Sequence, residues 1–387
     1  MNVKELDQEY VAHTYARFPL TLVEGRGSLV YDDAGKEYID MSTGIAVNTF
    51  GYSDARWAGA VSSQLTKLQH TSNLYYSEPC ARLAEQLCTR TGMKKVFFSN
   101  SGAEANECAI KVARKYAADK KGTDYHVIVS LKNSFHGRTL TTLAATGQDT
   151  FHTDFTPLTP GFVYAEANNL DSVKQALAEN KVAGIIMEMV QGEGGVCPLT
   201  EDFVRGVEAL AREQDIILII DEVQTGNGRC GALYAYMNFG ISPDVVSTAK
   251  GLAGGLPLGA TMLAERVENV LTAGLHGSTF GGNPVSCAGA LNILSRIDDK
   301  LLEDVRRKSE YLFSELNAME GVHDVTGMGL MIGFLTDVPV NDYVARCMDA
   351  GLLVIKAKNK VRLLPALNIP DFMLEKAVSI MREAAKI

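Results

Sequence analysis

Between residues 95 and 265, short apolar runs alternate with segments of helical character. The runs are KVFF (95–98), HVIVS (126–130), GIIMEMV (184–190), IILIID (216–221), DVVSTA (244–249) and ATMLA (260–264). Runs of this length suit strands buried on both faces. Between two of them, EDFVRGVEALAREQD (201–215) places Phe203, Val204, Val207 and Leu210 on one helical face. Strands separated by amphipathic helices predict an α/β fold, a mostly parallel sheet covered by helices on both sides. In such sheets, sites gather at the carboxyl ends of the strands.

The ends of the chain read differently. SLVYDDAGKEYIDM (28–41) predicts a hairpin turning at Asp33-Ala34-Gly35. Residues 285–387 combine long helices with short strands such as LLVIKA and VRLLP. With 387 residues there is room for two units. We expect a large domain over 51–284 and a smaller α+β domain built from 1–50 and 285–387.

Composition removes several function classes. The net charge is −9, from 37 basic and 46 acidic residues, and no basic stripe is present, which argues against a nucleic-acid partner. The longest stretch free of charged side chains, 269–295, holds five glycines, three asparagines and Pro284, so no membrane span is expected. MNVKELDQEY at the start carries both charge signs and no apolar run, so no export signal is expected. The seven cysteines form no C-x-x-C pair, which predicts reduced thiols in a cytoplasmic setting. The seven histidines show no ligand spacing, so no metal site is expected.

Four short pieces carry the chemistry. In STAKGLAGGLPLGA (247–260), Lys250 is the only formally charged side chain between Asp244 and Glu265. Small apolar surroundings depress an amine's pKa and make it a nucleophile, although a loop lysine reaching solvent would fit the same letters. In VFFSNSGAEANECAIKVARKYAADK (96–120), a strand ends near Ser99 and a helix begins near Ala103, leaving free amides at Ser101, Gly102 and Ala103. That geometry suits a phosphate, or an ordinary capped helix. Ala109, Val112, Ala113 and Tyr116 make its apolar face, and Glu107 with Lys111 is a favourable i, i+4 pair. In IILIIDEVQTGNGRCG (216–231), apolar residues deliver Asp221 to a strand end, where it needs a partner: a protonated ring nitrogen, a salt bridge or a turn. Residues 226–231 match G-x-G-x-x-G, but Asp221 and Glu222 intervene and would repel a pyrophosphate, so dinucleotide binding is not expected. In HGSTFGGNP (276–284), Ser278 and Thr279 offer hydroxyls from a tight loop, or simply close a surface turn. Taken together, lysine, carboxylate, amide cradle and hydroxyl loop are the parts that pyridoxal phosphate requires.

At this point the sequence resembles the class III (fold type I) aminotransferases over nearly its whole length. The resemblance runs through TYARFPLTLVEGRG (14–27), HTSNLYYSEP (70–79), SNSGAEANE (99–107), FHGRT (135–139), MVQGEGG (189–195), DEVQTGNGR (221–229), AKG (249–251), GSTFGGNP (277–284) and RLLPAL (362–367). It is most similar to the members acting on N-acetylornithine. It implies a homodimer with active sites shared across the interface, and transfer of a δ-amino group to 2-oxoglutarate, giving glutamate. Succinylornithine, ornithine, N-acyl-lysine-type precursors and 4-aminobutyrate are alternative donors with the same mechanism. The resemblance implies that Lys250 holds the cofactor aldehyde and moves the proton, that Asp221 pairs with the ring nitrogen and that Gln224 meets the ring hydroxyl. It implies that Ser101, Gly102 and Ala103 bind phosphate, with Thr279 supplied by the other subunit, and that Phe135 and Val223 cover the ring faces. For the substrates it implies Arg138 on the α-carboxylate of the donor, Ser278 and Tyr15 nearby, and Arg362 on the carboxylate of glutamate or 2-oxoglutarate. Glu193 is implied to pair with Arg362 when no such carboxylate is present. A decarboxylase or racemase would have no use for that pair. GYSDARW (51–57), where the family pattern has a His-Pro turn, together with Asn227 and Cys230, departs from the pattern.

Overall fold

The computed structural model describes all 387 residues. Seven strands form the central sheet: β1 (Lys95–Ser99), β2 (Val127–Leu131), β3 (Phe162–Ala165), β4 (Val182–Met187), β5 (Ile217–Asp221), β6 (Val245–Thr248) and β7 (Gly259–Leu263). Their order is β1-β7-β6-β5-β4-β2-β3. β6, β5, β4, β2 and β3 pair in parallel, while β7 runs antiparallel to both β6 and β1. Every apolar run identified in the sequence is a strand. β3 was not anticipated; its four apolar residues, FVYA, form an edge strand whose first three residues are only half-buried, and so short a run does not by itself distinguish a strand.

The central strands are buried on both faces because their side chains alternate between two cores. Ile217 and Ile219 of β5 join the core under helix α1 (Gly102–Lys121), while Leu218 and Ile220 join the larger core on the other face. Ala109, Val112, Ala113 and Tyr116 of α1 are buried as expected. In helix α2 (Glu201–Glu213), Phe203, Val204 and Val207 are buried, and Ala211 rather than Leu210 completes the deep face. The Glu107–Lys111 pair does not form. Glu107 accepts from the Thr139 hydroxyl and Lys111 donates to the Leu275 carbonyl at 2.8 Å. Tertiary partners outcompete a pair worth only about 0.5 kcal/mol on an exposed helix.

The hairpin forms between Leu29–Asp32 and Glu37–Asp40, with Gly35 at φ +80° in its turn. Strand Leu352–Leu353 adds in parallel beside Ile39 and Asp40, so both ends of the chain share one sheet. Ile39 and Met41 enter a separate core with Leu312, Phe334, Tyr343 and Leu374. Residues Lys360–Leu363 are an interior strand of a second, antiparallel sheet, which buries Arg362. Helix α3 (Pro284–Leu294) gives Cys287, Ala290, Ile293 and Leu294 to the large core. Gly226–Gly231 opens no helix. A Cβ on Gly226 would lie 2.7 Å from the Glu222 carbonyl oxygen, so this glycine serves close backbone packing. No helix is long and apolar enough to cross a membrane.

Candidate active site

A cavity of about 600 Å³ lies at the carboxyl edge of the sheet. Ten of the residues singled out above line it: Tyr15, Ser101, Gly102, Ala103, Phe135, Arg138, Asp221, Val223, Gln224 and Lys250.

The first wall follows from the turn between β1 and α1. Ser101 is the N-cap, and its hydroxyl accepts the Glu104 amide at 3.2 Å. The amides of Gly102 and Ala103 take no protein acceptor and border the cavity at the positive end of the 20-residue helix. A Cβ on Gly102 would come within 2.6 Å of Val223 Cγ1, so only glycine lets this helix start approach the far wall.

Asp221 is the last residue of β5 and is buried. Its Oδ2 accepts from Asn106 Nδ2 and His136 Nδ1, each at 2.7 Å, and its Oδ1 accepts the Val223 amide at 3.0 Å. Asn106 is itself fixed, donating to the His136 carbonyl and accepting from the Ser247 hydroxyl. Three donors thus satisfy a carboxylate that burial would otherwise make costly. His136 and Asn106 were not singled out as site residues, although both sit inside motifs quoted above. Glu188 was missed as well. It accepts the Phe135 amide at 2.9 Å, and burial, reinforced by nearby Asp221, pushes its carboxyl up to about 7.

Lys250 follows β6 in a three-residue turn, with φ at +45°. Its side chain is half-buried and lines the cavity, and the protein around it still strips water from the amine. Desolvation lowers its pKa to about 8; Arg362 lowers it further, while Glu193 and Asp221 oppose.

Two arginines belong to the site: Arg138 lines the cavity, while Arg362 and Glu193 lie behind its lining residue Gln224. Arg362, 2% exposed, donates through Nη1 to Glu193 Oε1 at 2.6 Å and to Gln224 Oε1 at 3.0 Å. Burial alone would raise the Glu193 carboxyl, but the charge and hydrogen bond of Arg362 hold it below the usual range. Arg138 is exposed and makes no ion pair within the chain; its guanidinium lies 4.3 Å above the Phe151 ring and 5.5 Å from that of Phe135. Phe151, also missed, meets Phe135 edge-on at 5.8 Å, so the arginine rests on an aromatic shelf with its fork free.

The loop 276–284 stands apart. Ser278 Oγ accepts from Asn100 Nδ2 at 3.2 Å and from the Gly281 amide at 2.9 Å, and Thr279 is exposed. Neither lines the cavity of its own chain. Tyr15 reaches the rim and is 73% exposed.

An amide cradle, a buried carboxylate with a spare lone pair, Val223 and Phe135 in the cavity wall, and a desolvated lysine could together hold pyridoxal phosphate. The class-III aminotransferase family model matches residues 10–385. The acetylornithine aminotransferase of Haemophilus ducreyi is 51% identical over 98% of both chains. That of Aquifex aeolicus is 45% identical over 97% of this chain and 99% of its own. Among solved structures, the ornithine aminotransferase of Toxoplasma gondii superposes at a TM-score of 0.94, with 30% identity over 98% of this chain and 93% of its own. The N-acetylornithine aminotransferase of Stenotrophomonas maltophilia superposes at 0.85, with 33% identity over 98% and 97%. Motif order, site geometry and likeness over almost the full length agree, and the chain belongs to the class-III aminotransferases.

Proposed function

We propose that the chain is an N-acetylornithine:2-oxoglutarate aminotransferase of arginine biosynthesis, working in the cytoplasm as a homodimer. The observation that carries this reading is the buried Arg362 held by Glu193 and Gln224 beside Lys250. A δ-amine donor brings no carboxylate next to its reacting carbon. An arginine aimed there would be an uncompensated buried charge without Glu193. 2-Oxoglutarate does bring one, and it can displace Glu193, whose side chain is 30% exposed and free to leave toward solvent. One site then serves two unlike substrates in alternation.

Bound pyridoxal phosphate supplies an aldehyde for the amine and a ring that withdraws electrons from the reacting carbon. The protein does the rest. Gly102 and Ala103 hold the phosphate through their amides, with Ser101 fixing the helix start. Thr279, exposed outside its own cavity, serves the phosphate site of the neighbouring subunit. Asp221, oriented by His136 and Asn106, keeps a proton on the ring nitrogen. Phe135 and Val223 confine the ring from its two faces, and Gln224 orients it from the side. Lys250 holds the resting cofactor and, once released, carries the proton at Nζ. In the cofactor-free chain desolvation lowers the pKa of this amine to about 8, which favours its neutral, nucleophilic form over that of an ordinary lysine. Arg138 takes the distal α-carboxylate of the donor, assisted by Ser278 and Tyr15.

Absorbance titration of the purified holoenzyme tests the donor. N-Acetylornithine, succinylornithine, ornithine and 4-aminobutyrate are added separately, without acceptor. Loss of the lysine-bound band at the lowest concentration with N-acetylornithine supports the reading. A stronger response to another amine keeps the reaction type and replaces the donor.

A further inference from the structure

The backbone at Lys250 is strained, and the side chains that hold it have no part in the chemistry above. A φ of +45° is one that a lysine seldom adopts. Local structure does little to enforce it, because the turn Lys250–Leu252 is closed by one hydrogen bond, from the Leu252 amide to the Ala249 carbonyl at 2.9 Å. The segment that follows is held by packing rather than by a local ladder: Leu252 and Ala253 are buried, and Trp57 Nε1 donates to the Ala253 carbonyl at 2.9 Å.

Two buried side chains from distant parts of the chain hold it instead. Asn227, in the loop after β5, donates through Nδ2 to the same Ala249 carbonyl at 3.2 Å and to Thr248 Oγ1 at 3.1 Å. Thr49, from the amino-terminal segment, donates its hydroxyl to the Gly251 carbonyl at 2.7 Å. The peptide before Lys250 and the one after Gly251 are therefore both pinned. The orientation of the Asn227 amide follows from the Ala249 carbonyl, which only accepts. Asn227 Oδ1 is buried without a partner. Asn227 is itself at φ +58°, a conformation asparagine tolerates.

We propose that Asn227 and Thr49 are positioning residues for the transamination. They clamp the turn at Ala249–Leu252 in its left-handed form, so that the Lys250 amine swings between its holding and released positions from one fixed pivot. This rests on Lys250 being the cofactor lysine. Relaxation of φ would move the root of the side chain by about an ångström, enough for a loss on the order of tenfold to a hundredfold in turnover.

The test uses holoenzyme carrying Asn227→Asp, which keeps the shape but cannot donate to a carbonyl, or Thr49→Val, which deletes only the hydroxyl. Asn227→Gly, which keeps the positive φ, is the third variant. The expected result in each is a kcat lower by roughly tenfold or more with KM changed less than about twofold. The pH midpoint of the lysine-bound cofactor's absorbance should move by more than about half a unit. Folded variants with wild-type kcat and midpoint, or variants that lose only thermal stability, overturn the proposal. If either Asn227 variant fails to fold, Thr49→Val decides by the same readouts. Absence of the lysine-bound band in the wild-type holoenzyme would instead overturn the reading of Lys250, a separate outcome.

Discussion

Replacing Glu193 by glutamine separates the two half-reactions. In the resting protein Arg362 has one charged partner, Glu193 at 2.6 Å, and one neutral partner, Gln224 at 3.0 Å. Breaking a fully buried ion pair costs about 3–5 kcal/mol. Here the Glu193 side chain is 30% exposed and glutamine retains a neutral hydrogen bond, so the charge-assisted part is about 1.5 kcal/mol. The resting enzyme and the donor complex both carry that penalty. It is relieved only when a ligand carboxylate reaches Arg362. The dissociation constant of 2-oxoglutarate for the amino form should therefore fall about tenfold. The discrimination ratio kcat/KM, glutamate over N-acetylornithine, should rise by a similar factor, since the glutamate carboxylate beside the reacting carbon relieves the penalty at Arg362 and the donor, which has none there, does not. Single-turnover stopped-flow absorbance with each substrate alone measures both quantities. Unchanged or weakened 2-oxoglutarate binding in a folded E193Q protein would refute the idea that Glu193 competes for Arg362.

Further outcomes follow from the same geometry. Gly102→Ala drives a Cβ to within 2.6 Å of Val223 Cγ1 and should weaken cofactor binding by about 1–3 kcal/mol, read by titrating apoprotein with pyridoxal phosphate. Arg138→Lys keeps the charge but loses the planar fork stacked on Phe151; KM for N-acetylornithine should rise at least about tenfold while kcat changes little. The rate at which apoprotein attaches the cofactor should climb with pH and level off above about 8, where desolvation has placed the Lys250 amine, not near 10.5. Because the unfolded chain keeps that proton up to its ordinary pKa, Lys250 makes the apoprotein more stable as pH rises from about 8 to 10.5. Thermal melts of apoprotein across that window check the sign against Lys250→Met.

The central strands were legible because burial on both faces leaves an uninterrupted apolar run; Ile217 to Ile220 alternate between two cores, and neither tolerates a polar residue. β3 was not, since its apolar run FVYA is only four residues long and lies at the sheet edge, with three of the four half-buried. Lys250 and Asp221 were visible for a related reason. Each is a charge delivered by an apolar strand to the edge of the sheet, and a charge there needs an explanation. Their supports were harder to see. His136, Asn106 and Glu188 act through contacts 30 or more residues away in sequence, and Phe151 touches Arg138 only after the chain has turned through helix Leu140–Ala145. Nothing in the spacing of those residues records such contacts. The failed Glu107–Lys111 pair shows the converse, a local rule overridden by partners the sequence does not reveal.

The most direct measurement is the site of covalent attachment. Holoenzyme is reduced with borohydride, digested and analysed by mass spectrometry. The account predicts the reduced pyridoxyl mass on the peptide containing Lys250, and its loss in Lys250→Ala. Attachment at a different lysine, or no attached mass after reconstitution with pyridoxal phosphate, would contradict the assignment on which the site and its mechanism rest.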